Sequence, residues 1–149
     1  MTQEAIKHVK GLSRFIGDES LPVGTLHARV FTSPIAAGWL ESLDISAALA
    51  VPGVVRILTA KDIPGKNQIG DIIADESVLA FHHIRFIGKP IAVVLAETPE
   101  AAARALPLIE CVITPVPACE DSKAAALAGE TFGPTRVLSK GNPEAAWPQ

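Results

Sequence analysis

The chain has 149 residues, of which 48% are hydrophobic and 19% are charged, and its formal net charge is −3. A chain of this length suits one globular domain with its own core, and this composition argues against disorder. The acidic balance, with no cluster of Lys or Arg, argues against a nucleic-acid partner.

Nothing in the sequence indicates export or a membrane. No apolar run reaches the roughly 18 residues that a membrane helix needs, and no charged-then-apolar leader is present, so we expect a cytoplasmic protein. Cys111 and Cys119 are the two cysteines. In this compartment they are expected to be free thiols, although the sequence leaves a disulfide between them open. Tyr is absent and aromatic residues make up only 5% of the chain, a poor composition for a self-contained active site.

The first part of the chain predicts strands. Residues 1–22 carry several breakers and no clear period, so we expect an arm or a short strand there. Residues 24–33 alternate polar and apolar side chains, which predicts a half-buried strand. Its two faces would carry Leu26, Ala28 and Val30 on one side and His27, Arg29 and Phe31 on the other. Further strands are expected at 36–45 and 54–58.

Residues 91–116 predict a strand, a helix and a strand in succession. The unit begins with IAVVLA, an apolar run typical of a strand covered on both faces. Thr98 can cap a helix and Pro99 suits its first position, whereas Pro107 should end that helix near Leu106. A right-handed parallel crossover would then join the two strands, so we predict an α+β fold with a mixed β-sheet.

The predicted organisation has three parts. These are an N-terminal arm at 1–22, the domain proper at 23–128, and a surface tail at 129–149 that leads to further domains. A short Ala-rich helix is expected at 121–127. Trp147, near the end of the tail, is interpreted as a packing residue that could cover a surface of a longer chain.

The segment 61–80, KDIPGKNQIGDIIADESVLA, is the most conspicuous stretch of the chain. It is polar, rich in turn residues and longer than the ordinary loop of a compact domain, which is typical of a functional segment. Lys66 follows Pro64-Gly65 as in a phosphate loop, but Ala60 and Asn67 stand where that motif needs Gly and Ser or Thr. The residues after the segment, 82–87, alternate and predict another strand.

Other candidate sites have weaker patterns. Metal binding by Asp75, Glu76, His82 and His83 is disfavoured because adjacent histidines on a strand point to opposite faces. Asp71, Asp75 and Glu76 could supply paired carboxylates, but acids in a polar loop are ordinarily solvated. Cys111 lies in an apolar strand, which predicts a buried structural thiol rather than a nucleophile. Ser33 and Ser46 lack a nucleophile-elbow setting, and Trp39 is expected to pack rather than stack on a ligand.

Several segments, taken together, stand in a recognisable order and spacing. They are residues 8–11, 21–28, 33–36, 43–44, 52–55, 59–65, 88–96 and 98–102. This series resembles the α/β hammerhead domain, the N-terminal part of the molybdenum-binding subunit of the xanthine dehydrogenase and aldehyde oxidase family. Ile35 departs from the usual His of a Ser-Pro-His-Ala step, and Thr114-Pro115 stands where a Tyr is common. The segment 64–80 is most similar to the purine-oxidising branch, the xanthine dehydrogenases.

The resemblance implies that this chain contributes no catalytic residue, cofactor ligand or metal ligand of its own. The full oxidoreductase would hydroxylate hypoxanthine or xanthine in purine catabolism, using molybdopterin, 2Fe-2S clusters and FAD. The implied partners are downstream molybdopterin-binding domains and the iron–sulfur/FAD subunit or domains, and a homo-oligomer stays open. The long loop of the hammerhead lies toward the substrate entrance, so Ile72 and Ile73 are candidates for lining it.

Two alternatives to this interpretation stay open. In the first, the chain is a stand-alone binding or assembly module that has the fold without catalysis. In the second, it is a small enzyme that uses the loop carboxylates. The loop is expected to be poorly ordered without the partner domains that would hold it.

Overall fold

The chain divides into two compact units. The computed structural model describes residues 2–130 and 136–146. The first unit comprises Met1–Val116 and the second Pro117–Gln149. These boundaries describe compactness alone. The predicted division into an arm at 1–22, a domain at 23–128 and a tail at 129–149 therefore stays a prediction.

The first unit is built from two antiparallel sheets. Its strands are β1 (His27–Thr32), β2 (Gly38–Asp44), β3 (Val54–Thr59), β4 (His83–Ile84), β5 (Pro90–Ala96) and β6 (Glu110–Pro115). The first sheet has the order β1-β5-β3 and the second the order β4-β2-β6. The α+β class is therefore confirmed, as is the succession of strand, helix and strand within 91–116.

The predicted mixed sheet and parallel crossover are wrong. Every pairing among the described strands is antiparallel, and β5 and β6 belong to different sheets. The reason is that β1 and β3 occupy both edges of β5, which leaves no edge for β6. The chain therefore leaves the first sheet after its helix, and β6 pairs with β2 instead.

The helix between β5 and β6 follows its sequence signals closely. It is α3 (Pro99–Ala105), and the Thr98 hydroxyl oxygen accepts a hydrogen bond from the Ala101 amide at 3.1 Å. A short 3₁₀ turn (Leu106–Leu108) follows because Pro107 cannot continue the α-helical hydrogen bonds. The buried face of α3 is made only of alanines, which lets this helix lie close to the first sheet.

The core consists of two apolar clusters. The first lies between α3, the first sheet and the short helix α2 (Ser46–Leu49). The second joins the second sheet to the start of β5 and contains Leu40, Ala80, Ile84 and Ile91. Phe31 of β1 packs against both clusters, whereas Val30 is exposed. The Phe31 face of β1, not the Val30 face, is thus the one that reaches the core.

Two local expectations need correction. The N-terminal arm contains a helix, α1 (Gln3–Val9), where an arm or short strand was expected; the Thr2 side chain caps it and none of its residues is buried. The strand expected at 82–87 is reduced to the two residues of β4, since the chain turns at 86–89 into β5.

The second unit contributes two short helices to the described residues. They are α4 (Ser122–Ala128), which was expected at 121–127 and is capped by the Asp121 side chain, and α5 (Pro143–Ala146). Part of the predicted tail, including Trp147, lies outside the described residues. Within 2–130 and 136–146, no helix has the length and apolar character needed to cross a bilayer.

Candidate functional site

The segment expected to be functional is an irregular loop between β3 and β4. We call residues 63–82 the long loop; a 3₁₀ turn (Ala60–Asp62) precedes it. At its far end Leu79 and Ala80 are buried, and the Ala80 amide donates to the Pro90 carbonyl at 2.7 Å. The loop therefore leaves the body of the domain and returns to it at fixed points.

One side chain closes the base of the long loop. The Asn67 side-chain NH₂ donates to the Leu79 carbonyl at 2.7 Å, and the Leu79 amide donates to the Asn67 side-chain oxygen at 3.0 Å. A primary amide can donate and accept at once, so it pairs with both backbone groups of one residue as a neighbouring strand would. Residues 68–78 consequently form a loop whose two ends are joined by a pair of hydrogen bonds.

A buried cation holds the returning half of the loop. Lys89 is only 3% exposed, and its ammonium donates to the Ser77 carbonyl. Glu76 is its counter-ion at 3.6 Å, and the Phe86 ring centroid lies 5.3 Å from the ammonium nitrogen. Lysine is rarely buried unless paired, so these contacts account for its position.

The tip of the loop carries the two predicted entrance residues. Ile72 is 98% exposed and Ile73 is 59% exposed. The backbone around them turns tightly: Gln68 donates to the Gly70 carbonyl at 2.7 Å, and the Ile69 amide donates to the Glu76 carbonyl at 2.9 Å. Two large apolar side chains thus project from the tip of a loop that has its own hydrogen bonds.

The loop acids are paired with cations across a small cavity. This cavity, of about 230 Å³, lies between residues 75–77 of the long loop and residues 81–89. Asp75 pairs with Arg85 at 3.3 Å, next to the Glu76–Lys89 pair. The expectation of solvated carboxylates is confirmed, because Asp71, Asp75 and Glu76 are all exposed, although Asp75 and Glu76 also pair with these cations.

The two histidines lie in different surroundings. The His83 ring stacks on Trp39 with centroids 4.5 Å apart, and its Nδ1 accepts from Arg85 at 3.3 Å. The His82 ring meets Phe81 edge-on. Across the described residues, no three His, Cys, Asp or Glu side chains converge where they could hold a metal ion. The residues described here thus provide no fit for a metal centre, and that this chain contributes no cofactor ligand stays a prediction.

The remaining candidate nucleophiles have structural contacts. The Ser33 hydroxyl donates to the Ile35 carbonyl at 2.9 Å within a turn, and the Ser46 hydroxyl donates to Asp44. Partial burial raises the pKa of the Cys111 thiol, which disfavours the thiolate that a nucleophile needs. Cys111 and Cys119 are both free thiols, as expected.

Two residues that matter most in this site had no sequence signal of their own. Asn67 stood out only as a turn residue, and Lys89 only as part of a Gly-Lys-Pro turn. An Asn facing a peptide twelve residues away, or a Lys beneath a loop, becomes visible only when the fold brings the partners together.

Known proteins resemble nearly the whole chain. The family model of the "aldehyde oxidase and xanthine dehydrogenase, a/b hammerhead domain" matches residues 10–115. The nicotinate dehydrogenase large molybdopterin subunit of Eubacterium barkeri is 35% identical over 98% of this chain and 36% of its own length. Xanthine dehydrogenase 2 of Arabidopsis thaliana is 36% identical over 91% of this chain and 10% of its own length.

Solved structures share the architecture. The aldehyde oxidoreductase of Desulfovibrio desulfuricans superposes with a TM-score of 0.77 at 26% identity, over 83% of this chain and 15% of that one. CO dehydrogenase from Oligotropha carboxidovorans gives 0.75 at 31% identity, over 83% of this chain and 16% of that one. The chain thus spans between a tenth and about a third of the length of these relatives. It belongs to the hammerhead-domain family of the aldehyde oxidases and xanthine dehydrogenases.

Proposed function

We propose that this chain is the non-catalytic hammerhead domain of a molybdenum hydroxylase whose complete form hydroxylates a purine such as hypoxanthine or xanthine. Its role is to present the long loop at the substrate entrance. The observation that carries this proposal is the pair Ile72 and Ile73, which are exposed at the tip of a loop tied at its base.

Exposed apolar side chains in a loop with fixed ends fit contact with another protein surface better than contact with water. The N-terminal arm adds further exposed apolar side chains: Val9, Leu12, Phe15, Ile16 and Leu21. The partners would be molybdopterin-binding domains together with the iron–sulfur and FAD domains or subunit. The complete enzyme would be cytoplasmic.

The purine assignment is supported by the relatives and by the loop sequence. Xanthine dehydrogenases of Arabidopsis thaliana, Oryza sativa and Dictyostelium discoideum are 33–36% identical to this chain. Nicotinate dehydrogenase and the aldehyde oxidase 3 of Rattus norvegicus are 35% and 34% identical, so identity alone does not choose the substrate. The similarity of the loop to that of the purine-oxidising branch is what supports the purine proposal.

The substrate class is tested by kinetics of the complete enzyme assembled with this chain. Xanthine, hypoxanthine, nicotinate and an aromatic aldehyde would be compared by kcat/KM. We expect the purines to be preferred, and a higher value for nicotinate or the aldehyde would contradict the purine assignment. The isolated chain should retain no molybdenum and oxidise no xanthine. Retained molybdenum or xanthine oxidation would contradict the non-catalytic role.

The entrance role is tested by replacing both tip residues. Ile72→Ser and Ile73→Ser together should raise KM for xanthine severalfold with little change in kcat, since the tip lines the path and does not touch the reacting atoms. Val55→Ser, at a half-exposed β-branched residue on β3, is the matched control. Unchanged KM in the tip variant would show that the tip does not line the entrance.

A further inference from the structure

We infer that Asn67 and Lys89 are positioning residues that fix the tip of the long loop, so that Ile72 and Ile73 are held in place before any partner domain binds. The inference concerns the shape of the loop and rests on the proposed function only for its effect on substrate entry.

Asn67 fixes the distance between the two ends of the tip. Its two hydrogen bonds with Leu79, at 2.7 and 3.0 Å, satisfy both the backbone C=O and the backbone N–H of that residue. Leu79 is itself buried, at 6% exposure, so Asn67 joins the outgoing half of the loop to a buried residue of the domain. Without the Asn67 side-chain amide, the backbone N–H and C=O of this buried residue would both lose their partner.

Lys89 fixes the returning half at a second point. Its ammonium is held beneath the loop by the Ser77 carbonyl and Glu76, on the turn that leads into β5. The backbone of Lys89 is itself tied down, because the Ser33 amide donates to the Lys89 carbonyl at 2.9 Å. Lys89 therefore connects the loop to Ser33, the residue that follows β1 of the first sheet.

One backbone hydrogen bond lies between the two points at which Asn67 and Lys89 hold the loop, and it can report on both. The Ile69 amide donates to the Glu76 carbonyl at 2.9 Å, two residues after Asn67 and one residue before Ser77. Neither the Asn67 side chain nor the Lys89 ammonium donates to the Ile69 amide or accepts from it. The rate of hydrogen exchange at the Ile69 amide thus reports whether the contacts of Asn67 and Lys89 keep the tip in place.

We therefore expect an ordered tip, in contrast to the poor order expected from the sequence. Hydrogen exchange distinguishes an ordered tip from a disordered one. The chain would be compared as wild type, Asn67→Ala, Lys89→Met and Lys66→Met, the last being an exposed lysine of the same loop. We expect exchange at Ile69 to be roughly tenfold faster in Asn67→Ala and in Lys89→Met, as loss of a hydrogen bond to a buried group implies. Exchange at Val94, in the centre of the first sheet, should not change, and Lys66→Met should match wild type.

Equal exchange at Ile69 in wild type and Asn67→Ala would overturn the inference. If Lys89→Met does not fold, Asn67→Ala decides alone, because Asn67 lies outside both core clusters. In the complete enzyme, Asn67→Ala should raise KM for xanthine without lowering kcat, whereas simple loss of folded protein would lower only the apparent kcat. Faster exchange with unchanged KM would support the positioning role and contradict the entrance role, so the two proposals fail separately.

Discussion

Gly70 lies directly beneath the backbone carbonyl of Ile73. A Cβ built on Gly70 would be 1.9 Å from the Ile73 carbonyl oxygen and 2.9 Å from its carbonyl carbon. Because both atoms belong to the backbone, no side-chain rotation can relieve the clash. The tight turn that projects the two tip isoleucines therefore requires glycine at position 70.

Gly70→Ala should force the tip into another conformation and leave the sheets unchanged. Gly65→Ala is the matched control, since a Cβ there would meet nothing within 4 Å. The measurement is limited proteolysis of the loop together with the midpoint of thermal unfolding. We expect faster cleavage within 69–76 for Gly70→Ala alone, with a nearly unchanged midpoint. Identical cleavage of the two variants would contradict the close approach.

Gly38→Ala should destabilise the second sheet. A Cβ at Gly38 would lie 2.7 Å from the Thr114 carbonyl oxygen and 2.7 Å from an Ile113 methyl group, where β2 pairs with β6. Overpacking of this kind typically costs about 1–3 kcal/mol. Chemical denaturation would measure the loss, with Gly17→Ala, in open space, as the control. A loss as small as that of the control would show that β2 and β6 are not so close.

Thr98→Ala should lower the free energy of unfolding of the first unit. The Thr98 cap starts α3, which buries Ala101, Ala102 and Ala105, and the loss of such a cap costs about 0.5–2 kcal/mol. Thr2→Ala removes the equivalent cap of α1, a helix with no buried residue, and should leave the global transition unchanged. Equal effects of the two substitutions would contradict this difference in burial.

The carboxylate of Asp62 should give a pH-dependent contribution to stability. Its pKa lies below the ordinary value of 3.8, mainly because the Thr59 amide donates to it, and further because Arg56 and the Thr59 hydroxyl do. A group whose pKa is lowered by folding stabilises the protein above its unfolded pKa, and this contribution is lost as the pH falls through the folded value.

Asp62→Ala should therefore be less stable than wild type near neutral pH, and the difference should shrink below pH 3.8. Urea denaturation across this range would measure it, with Asp71→Ala, at an exposed loop acid, as the control. A difference between wild type and Asp62→Ala that stays constant from neutral to strongly acidic pH would contradict the assignment.

Cys119 should react with iodoacetamide much faster than Cys111. Cys119 is exposed, whereas burial raises the pKa of Cys111 and so lowers its thiolate fraction. Mass spectrometry of the native chain over time would follow both sites, and denatured chain would serve as the control in which the rates converge. Faster modification of Cys111 in the native state would contradict its placement in β6.

The sequence predicted an element correctly where the interactions that form it involve residues close together in the chain. Thr98, Pro99 and Pro107 predicted the start and end of α3 because capping and proline geometry involve only neighbouring residues. The apolar run 91–96 predicted the covered strand β5 for a similar reason. The helix α1 was missed because its Thr2 cap precedes a segment without a buried face, so no apolar period marks it.

The sequence did not predict which strands that are distant along the chain pair with each other. A strand-helix-strand order fits either a parallel crossover or a chain that passes to a second sheet, and the choice depends on which edges other strands have taken. In the same way, Val30 and Phe31 were equally good candidates for the inner face of β1. Phe31 faces inward because β5 and the second sheet both supply apolar neighbours on that side.

The long loop shows the same division. The sequence by itself determined that 61–80 is a loop between strands, and its pattern, together with the neighbouring segments, pointed to the family to which the chain belongs. Only the tertiary structure decided how the loop is held, since the partners of Asn67 and Lys89 lie twelve residues away along the chain. Such contacts depend on where the backbone returns after a turn, and in this domain it returns at the buried residues Leu79 and Ala80.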